Sequence, residues 1–170
     1  MKKNKNIYLI GFMGSGKTTL GKILSKKLDK IFFDSDQVIE EKLGVDVTMI
    51  FDYEGEAGFR EREKEILKEL VSKKNIVLAT GGGAVISESN RNLLSENGTV
   101  IYLKSNYKDL ILRMKNDKTR PLLKENNFET IIKKLCKDRE PLYKSISDYE
   151  IATKNKRIPE IIDEIIRVIK

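Results

Sequence analysis

A glycine-rich segment near the start of the chain carries the residue types that bind phosphate. Residues 11–18 read Gly-Phe-Met-Gly-Ser-Gly-Lys-Thr and fit the pattern G-x-x-x-x-G-K-[ST]. Its glycines let successive backbone N–H groups turn inward around a phosphate, and a helix that starts there adds the positive end of its dipole. Lys17 can reach the β- and γ-phosphates, and the Thr18 hydroxyl can ligate Mg²⁺. The segment predicts binding of a nucleoside triphosphate with magnesium.

The sequence on both sides of this segment supports that interpretation. The apolar, β-favouring run Ile7–Ile10 precedes it, and apolar residues recur at helical spacing after it, at positions 20, 23, 24 and 28. Strand, glycine loop and helix are therefore expected in this order, whereas an ordinary glycine-rich turn would not need the Lys-Thr pair. The residues expected to bind the nucleotide are Gly14, Ser15, Gly16, Lys17, Thr18 and Thr19.

Two acids, Asp34 and Asp36, follow directly after the short apolar run 31–33. One acid at a cleft edge can hold a magnesium-bound water, while the other accepts the proton of an attacking hydroxyl. The third predicted strand ends in Thr80-Gly81 without an acid, which shifts the metal-supporting role toward Asp34. The alternative is that these aspartates only cap the next helix.

A glycine run and an arginine complete the set that the residues alone suggest. Three consecutive glycines cost conformational entropy unless the backbone must approach another group closely, so we expect this run to face a ligand rather than to form only a tight turn. It consists of Gly81, Gly82 and Gly83. Arg120 lies before Pro121 in a polar, basic stretch, where an arginine could close on the phosphates.

Composition limits the other possibilities. The 170 residues suit one domain, and 33 Lys and Arg against 26 Asp and Glu give a net charge of +7, which favours anionic ligands. The basic residues are scattered rather than clustered, and no histidine is available for catalysis or metal binding. The single cysteine, Cys136, lies on an amphipathic stretch and is interpreted as packing. With a polar N-terminus and no signal peptide, a cytoplasmic protein is expected.

Short apolar runs alternate with amphipathic stretches along the chain, which predicts a three-layer α/β domain with a parallel sheet. Strands are predicted at 7–10, 31–33, 76–79, 100–103 and 149–152. Three details of the helices are predicted as well: a cap at Ser35 or Asp36, separate helices over 47–54 and 56–73, and a break near Pro141. Because ligands of such sheets bind at the carboxyl ends of the strands, the phosphate loop, the two aspartates and the glycine run should share one cleft.

Six segments in a fixed order resemble the shikimate kinase family over essentially the whole chain. They are residues 11–18, Asp34-Ser35-Asp36, Gly55-Glu56-x-x-Phe59-Arg60-x-x-Glu63, Thr80-Gly81-Gly82-Gly83, Arg120-Pro121-Leu122-Leu123 and Arg139-x-Pro141-x-Tyr143. The resemblance implies one domain over 1–170 with the nucleoside-monophosphate-kinase-like P-loop NTPase fold. It also implies a five-stranded parallel sheet, a substrate-binding excursion at about 35–62 and a lid at about 113–125.

The same resemblance implies transfer of the γ-phosphate of ATP to the 3-hydroxyl of shikimate, on the route to chorismate and aromatic amino acids. Asp36 would hold substrate hydroxyls and act as the base, and Lys17 would assist catalysis. Arg60, Arg139 and the backbone N–H of Gly82 would hold shikimate. Arg120 would reach the ATP phosphates from the lid, Thr18 would ligate Mg²⁺, and Asp34 would support the metal through water. Adenine contacts are expected near 153–158 and Arg113, without particular residues being chosen.

Four other functions are possible for a chain with this phosphate loop. A gluconate kinase of the same fold would share the phosphate loop and the lid arginine, and a nucleoside-monophosphate kinase would need a base-specific pocket that no motif suggests. A nucleic-acid-binding ATPase would need a basic stripe with stacking aromatics. A homologue that only binds nucleotide would not need Lys17, Asp36 and Arg120 together. We expect a monomer that binds shikimate and neither nucleic acid nor a membrane.

Overall fold

The computed structural model describes residues 6–116 and 127–170, and within them five strands form one parallel sheet. The strands are β1 Ile7–Ile10, β2 Ile31–Asp34, β3 Ile76–Ala79, β4 Thr99–Lys104 and β5 Tyr149–Ala152. Their order across the sheet is β2-β3-β1-β4-β5, and every neighbouring pair is parallel. The predicted five-stranded parallel sheet is confirmed.

Helices cover both faces of this sheet, as parallel strands require. They are α1 Lys17–Lys27, α2 Ser35–Leu43, α3 Val47–Ser72, α4 Glu88–Asn97, α5 Tyr107–Lys115, α6 Phe128–Ile146 and α7 Ile158–Ile169, with a short 3₁₀ turn at Ala84–Ile86. Strand β1 shows how the core is divided. Tyr8 and Ile10 pack in a cluster with α3, α4 and α6, whereas Ile7 and Leu9 pack in a second cluster with α1 and α7. Because successive side chains of a strand point to opposite faces of the sheet, β1 contributes residues to both cores.

The register places the functional segments at one edge. Ile7 of β1 pairs with Val77 of β3, and Ile31 of β2 pairs with Ile76 of β3. The three strands therefore end side by side, and the phosphate loop, the aspartates and the glycine run all begin where they end. This arrangement follows the rule that open α/β sheets present their ligands at the carboxyl ends of the strands.

The cap of α2 differs from the prediction. Asp34, not Ser35 or Asp36, is the capping residue, and its Oδ1 accepts hydrogen bonds from the backbone N–H groups of Asp36 (3.0 Å) and Gln37 (3.3 Å). The prediction was wrong because the helix begins directly after the strand, without a connecting residue. Asp34 still has the extended backbone of β2, which is the conformation that a capping residue needs.

Two predictions about helix breaks have different outcomes. The predicted helices over 47–54 and 56–73 are joined into α3, with Gly55 as one non-helical residue between them. The predicted break near Pro141 is wrong, because α6 continues through it from Phe128 to Ile146. A proline removes one helical hydrogen bond, and here the residues on both sides of it, Arg139 and Tyr143, are buried and hold the helix in place.

The two predicted appendages differ in how much of them the structure describes. The excursion expected at about 35–62 comprises α2 and the first part of α3. Of the lid expected at about 113–125, only residues 113–116 are described, so Arg120 lies outside the described residues. Among the helices that the structure describes, none has the length and apolar character needed to cross a membrane.

The kink in α3 should depend on glycine. Gly55 has φ 71° and ψ 179°, a region that residues with a side chain essentially do not occupy. We expect Gly55→Ala to lower the free energy of unfolding by about 1–3 kcal/mol, measured by urea denaturation. Gly44→Ala is the comparison, because Gly44 has φ 69° and ψ 17°, where a side chain costs about 1 kcal/mol. Equal losses in the two variants would contradict the expectation.

Candidate active site

The phosphate loop encloses its own lysine. Gly11, Gly14 and Gly16 have φ values of 149°, 78° and 95°, which only glycine adopts readily. Lys17 is buried, and its Nζ donates hydrogen bonds to the carbonyls of Gly11 (2.7 Å) and Phe12 (2.9 Å). The ammonium group is therefore held inside the turn, next to the start of α1. A cation, a helix N-terminus and a glycine loop together fit a phosphate.

This loop forms one wall of a cleft of about 550 Å³. The cleft is lined by residues 14–19, the predicted nucleotide-binding residues that the structure describes. Asp34, Asp36, Arg113, Thr153 and Lys156 line it from other parts of the chain. Arg113 also donates a hydrogen bond from Nη1 to the Gly14 carbonyl at 3.0 Å. The segments in which adenine contacts were expected thus lie in the same cleft as the phosphate loop, and the contacts themselves stay a prediction.

Thr18 and Asp34 lie together where a metal ligand was predicted. The Thr18 hydroxyl donates to Asp34 Oδ2 at 2.6 Å, while the other carboxylate oxygen caps α2. A hydroxyl and a carboxylate are oxygen ligands, which Mg²⁺ prefers. Within residues 6–116 and 127–170 no group of three acidic, histidine or cysteine side chains could hold a metal. The pair therefore fits Mg²⁺, which proteins usually bind through only one or two of their own oxygen groups.

Asp36 has the electrostatic properties of a proton acceptor near neutral pH. Burial, and then repulsion from Asp34 and Glu63, raises the pKa of Asp36 to about 7, although Lys17 and Arg60 act in the opposite direction. Its Oδ1 atom is buried and has no hydrogen-bond partner among the described residues. A carboxylate with this pKa changes its protonation state close to the working pH, which suits a general base.

Glu63 belongs to the site although its role was not predicted from the sequence. Its side chain is fully buried, and Arg60 donates to it from Nη1 at 2.8 Å. Burial raises the pKa of Glu63, and the charge of Arg60 lowers it. One signal was present in the sequence: Glu63 lies four residues after Phe59 and three before Ile66, on the apolar face of α3. An acid on a buried helix face needs a partner, and that requirement marks it as unusual.

The glycine run is packed against these side chains. A Cβ atom at Gly81 would lie 2.8 Å from Asp36 Oδ1 and 2.9 Å from Glu63 Oε2, closer than real Cβ contacts allow. At Gly82 it would lie 3.0 Å from the backbone nitrogen of Met13. At Gly83 it would overlap the guanidinium group of Arg60. Each glycine therefore makes room for a different part of the site, which is a stronger reason for glycine than a tight turn.

Arg139 reaches the site from α6. It is 9% exposed, and its guanidinium carbon lies 5.5 Å from the centre of the Phe12 ring, within the range of a cation–π contact. One helical turn later, the Tyr143 hydroxyl donates to the Gly82 carbonyl at 2.6 Å. The structure thus brings Arg139 to the phosphate loop and connects the same helix to the glycine run.

The candidate site residues that the structure describes form two adjoining groups, and Asp36 belongs to both. One group is the nucleotide cleft with the phosphate loop, Thr18 and Asp34. The other consists of Asp36, Arg60, Glu63, the glycine run, Arg139 and Tyr143. A phosphate loop beside a partly buried carboxylate and two arginines, on a parallel sheet of this order, is the arrangement of one class of protein, the P-loop phosphotransferases.

Comparison with known proteins identifies the family within this class. The family model described as "Shikimate kinase" matches residues 13–170. The shikimate kinase of Buchnera aphidicola subsp. Baizongia pistaciae is 46% identical over 171 residues, covering 99% of this chain and 98% of the relative. The chain belongs to the shikimate kinase family.

Solved structures agree with this assignment. The shikimate kinase from Acinetobacter baumannii in complex with shikimate has a TM-score of 0.94 and 43% identity, with 98% of this chain and 93% of that chain covered. A gluconokinase from Sinorhizobium meliloti 1021 has a TM-score of 0.60 and 16% identity over 96% of this chain and 90% of that one, a likeness of fold alone. Family membership confirms the predicted enzyme class, a kinase that uses ATP with Mg²⁺.

The raised pKa of Asp36 predicts a pH-dependent effect on stability. In the unfolded chain Asp36 loses its proton near its ordinary pKa of 3.8, but in the folded protein it does so at about 7. The ionised carboxylate therefore destabilises the folded state as the pH rises from about 4 through 7. We expect Asp36→Asn to be more stable than wild type at pH 8, by more than about 1 kcal/mol, and the difference to shrink toward pH 4.

Urea denaturation at a series of pH values measures this difference. Asp52→Asn, at an exposed position of α3, is the control for the loss of one formal charge. A stability difference between Asp36→Asn and wild type that does not vary with pH would contradict the electrostatic account.

Proposed function

We propose that this chain transfers the γ-phosphate of ATP to the 3-hydroxyl of shikimate, giving shikimate 3-phosphate and ADP on the route to chorismate and aromatic amino acids. One observation carries the proposal: Oδ1 of Asp36 is buried without a hydrogen-bond partner among the described residues, and this carboxylate lines the phosphate-loop cleft next to the group that contains the two arginines, Arg60 and Arg139. A hydroxy acid placed with its carboxylate on the arginines would have a hydroxyl available to Asp36 and to the phosphate.

On the nucleotide side, the chain binds and neutralises phosphate oxygens. The Lys17 ammonium is held near the loop by carbonyl oxygens and is positioned to interact with the β- and γ-phosphates. Thr18 would ligate Mg²⁺ directly, and Asp34 would hold one of its waters while fixing the Thr18 hydroxyl. A Mg²⁺ held by these residues would supply neutralisation of the phosphate charge that develops during transfer.

On the acceptor side, Asp36 takes the proton of the attacking hydroxyl at Oδ1. That oxygen has no partner among the described residues, so a substrate hydroxyl would satisfy it. The neighbouring cations Lys17 and Arg60 keep the pKa of Asp36 from rising further. A fraction of Asp36 is therefore ionised at neutral pH, as a base requires, and it remains basic enough to accept a proton.

Arg60 and Arg139 would bind the substrate carboxylate, together with the backbone N–H of Gly82. A guanidinium group offers two parallel donors that match the two oxygens of a carboxylate. Glu63 occupies Nη1 of Arg60 and so fixes the direction of the fork, while the Phe12 ring supports the guanidinium of Arg139. Both arginines are thus held in place before the substrate arrives, which reduces the entropy lost on binding.

The proposal also covers the lid, the excursion and the state of the enzyme in the cell. Arg120, from a lid at about 113–125, would close on the ATP phosphates, and closure would keep water from acting as the acceptor. The excursion at about 35–62 would carry two of the substrate-binding residues, Asp36 and Arg60, within a single domain of residues 1–170. The enzyme would act as a cytoplasmic monomer. Because the basic residues are scattered along the sequence, it would not bind nucleic acid.

The first experiment measures ADP release from Mg-ATP with shikimate, with gluconate and without an acceptor. We expect release to be stimulated strongly by shikimate and not by gluconate, since gluconate kinase is the nearest enzymatic alternative of the same fold. Binding of ATP is measured in parallel. No stimulation by either acceptor, with ATP still bound, would overturn the proposed activity and leave only nucleotide binding.

Replacing Arg139 by lysine tests the carboxylate site. A lysine keeps the charge but loses the two-donor fork, so we expect Arg139→Lys to raise the KM for shikimate by about tenfold or more. The KM for ATP should change much less. Arg167→Lys, on the exposed side of α7, is the matched control. An unchanged KM for shikimate in Arg139→Lys would remove Arg139 from the carboxylate site.

A further inference from the structure

Tyr143 is a buried residue of the second group of the site, the group that contains Asp36 and the two arginines. The proposed reaction gives this tyrosine no role. It is 1% exposed, and its hydroxyl donates to the Gly82 carbonyl at 2.6 Å. Its ring stacks on Tyr102 of β4, with ring centres 5.0 Å apart. Burial raises the pKa of the Tyr143 phenol, so the group stays protonated and remains a donor at any working pH.

We propose that Tyr143 is a positioning residue for substrate binding, whose hydroxyl fixes the glycine run and its distance from Arg139. The inference rests on the proposed function, because the groups that it positions are those assigned to the carboxylate of shikimate. The Tyr143 hydroxyl acts through the Gly82 carbonyl, to which it donates, and through Arg139, with which it also interacts.

Two hydrogen bonds restrain the peptide planes of the glycine run. The Gly82 carbonyl shares a plane with the N–H of Gly83, and the two point in opposite directions. The preceding carbonyl, that of Gly81, accepts a hydrogen bond from the N–H of Ala84 at 3.1 Å. Hydrogen bonds therefore fix both planes from their carbonyl sides, and with them the directions of the N–H groups of Gly82 and Gly83. Glycine has the freest backbone of any residue, so this restraint matters here.

The same bond also fixes two arginines relative to each other. Gly83 packs directly against the guanidinium of Arg60, so a rotation of the Gly82–Gly83 peptide would move the surface on which Arg60 lies. Arg139 lies one helical turn before Tyr143 on α6. The hydroxyl of Tyr143 thus connects the helix that carries Arg139 to the backbone that supports Arg60. Removing it would loosen the carboxylate site on both sides without touching the nucleotide cleft.

Tyr143→Phe removes the hydroxyl, with its hydrogen bond to the Gly82 carbonyl and its interaction with Arg139, and keeps the ring. We expect the KM for shikimate to rise at least by about threefold to tenfold, the range that loss of one neutral hydrogen bond gives, and kcat and the KM for ATP to stay within about twofold of wild type. The methyl ester of shikimate, which lacks the carboxylate charge, provides a second measurement. Its inhibition constant against shikimate should change little in Tyr143→Phe, so the preference for the acid over the ester should fall.

Tyr102→Phe is the matched control, because it alters the partner ring of the same stack and leaves the bond to Gly82 in place. Melting temperatures are recorded for each protein. Equal losses for the acid and the ester, a parallel rise in the KM for ATP, or an unchanged KM for shikimate would overturn the positioning role. A wild-type enzyme that shikimate does not stimulate would instead overturn the proposed function itself.

Discussion

The site depends on one electrostatic arrangement: the partly buried carboxylate of Asp36 and the fully buried one of Glu63, balanced by the cations Arg60 and Lys17. Burying a charge without a partner costs far more than a single interaction can return, so the four groups must be close together. They come from three different elements, α1, α2 and α3. Gly81 leaves room for this arrangement, since a Cβ atom there would lie within 3 Å of both carboxylates and would force them to move.

This cluster also explains how the folded protein tolerates the carboxylate of Asp36 despite its electrostatic cost. Asp36 is raised in pKa by burial and by its acidic neighbours, and each of these contributions destabilises the ionised form. The sheet and its two cores provide the stability that allows it, because β1 and β3 are buried along their whole length. Strained or repulsive groups persist where the surrounding structure determines their position, and here the cap at Asp34 and the ion pair at Glu63 do so.

The fold could be predicted because its signals are local and consistent. Short apolar runs, amphipathic stretches and a phosphate loop with the correct flanks predict a parallel α/β sheet, and the parallel sheet alone brings β1, β2 and β3 to one edge. The details that failed depend on tertiary contacts. The cap at Asp34 follows from the absence of a connecting residue after β2, and α6 continues through Pro141 because its neighbours are buried.

The site could be predicted where a motif names the residue type, and much less where only packing gives it a role. Glu63 ends one of the family segments, but the sequence predicts no function for it. Nothing in a single sequence says that it faces Arg60 rather than solvent. Tyr143 is a similar case, since its partner is a backbone carbonyl 61 positions away in the chain. Interactions of this kind arise only when the sheet has placed α6 against the glycine run.

The two halves of the site meet at Phe12, whose position in the phosphate-loop motif is one that any residue can occupy. Its carbonyl accepts a hydrogen bond from Lys17, and its ring lies against the guanidinium of Arg139. Phe12 therefore contacts both Lys17, which is assigned to the nucleotide, and Arg139, which is assigned to the substrate carboxylate. Because the ring and the carbonyl belong to the same residue, a movement of the loop at Lys17 also moves the surface that supports Arg139. The spacing between these two cations is thus built into the loop itself, and phosphoryl transfer depends on the positioning of its reactants more than on any covalent step by the protein.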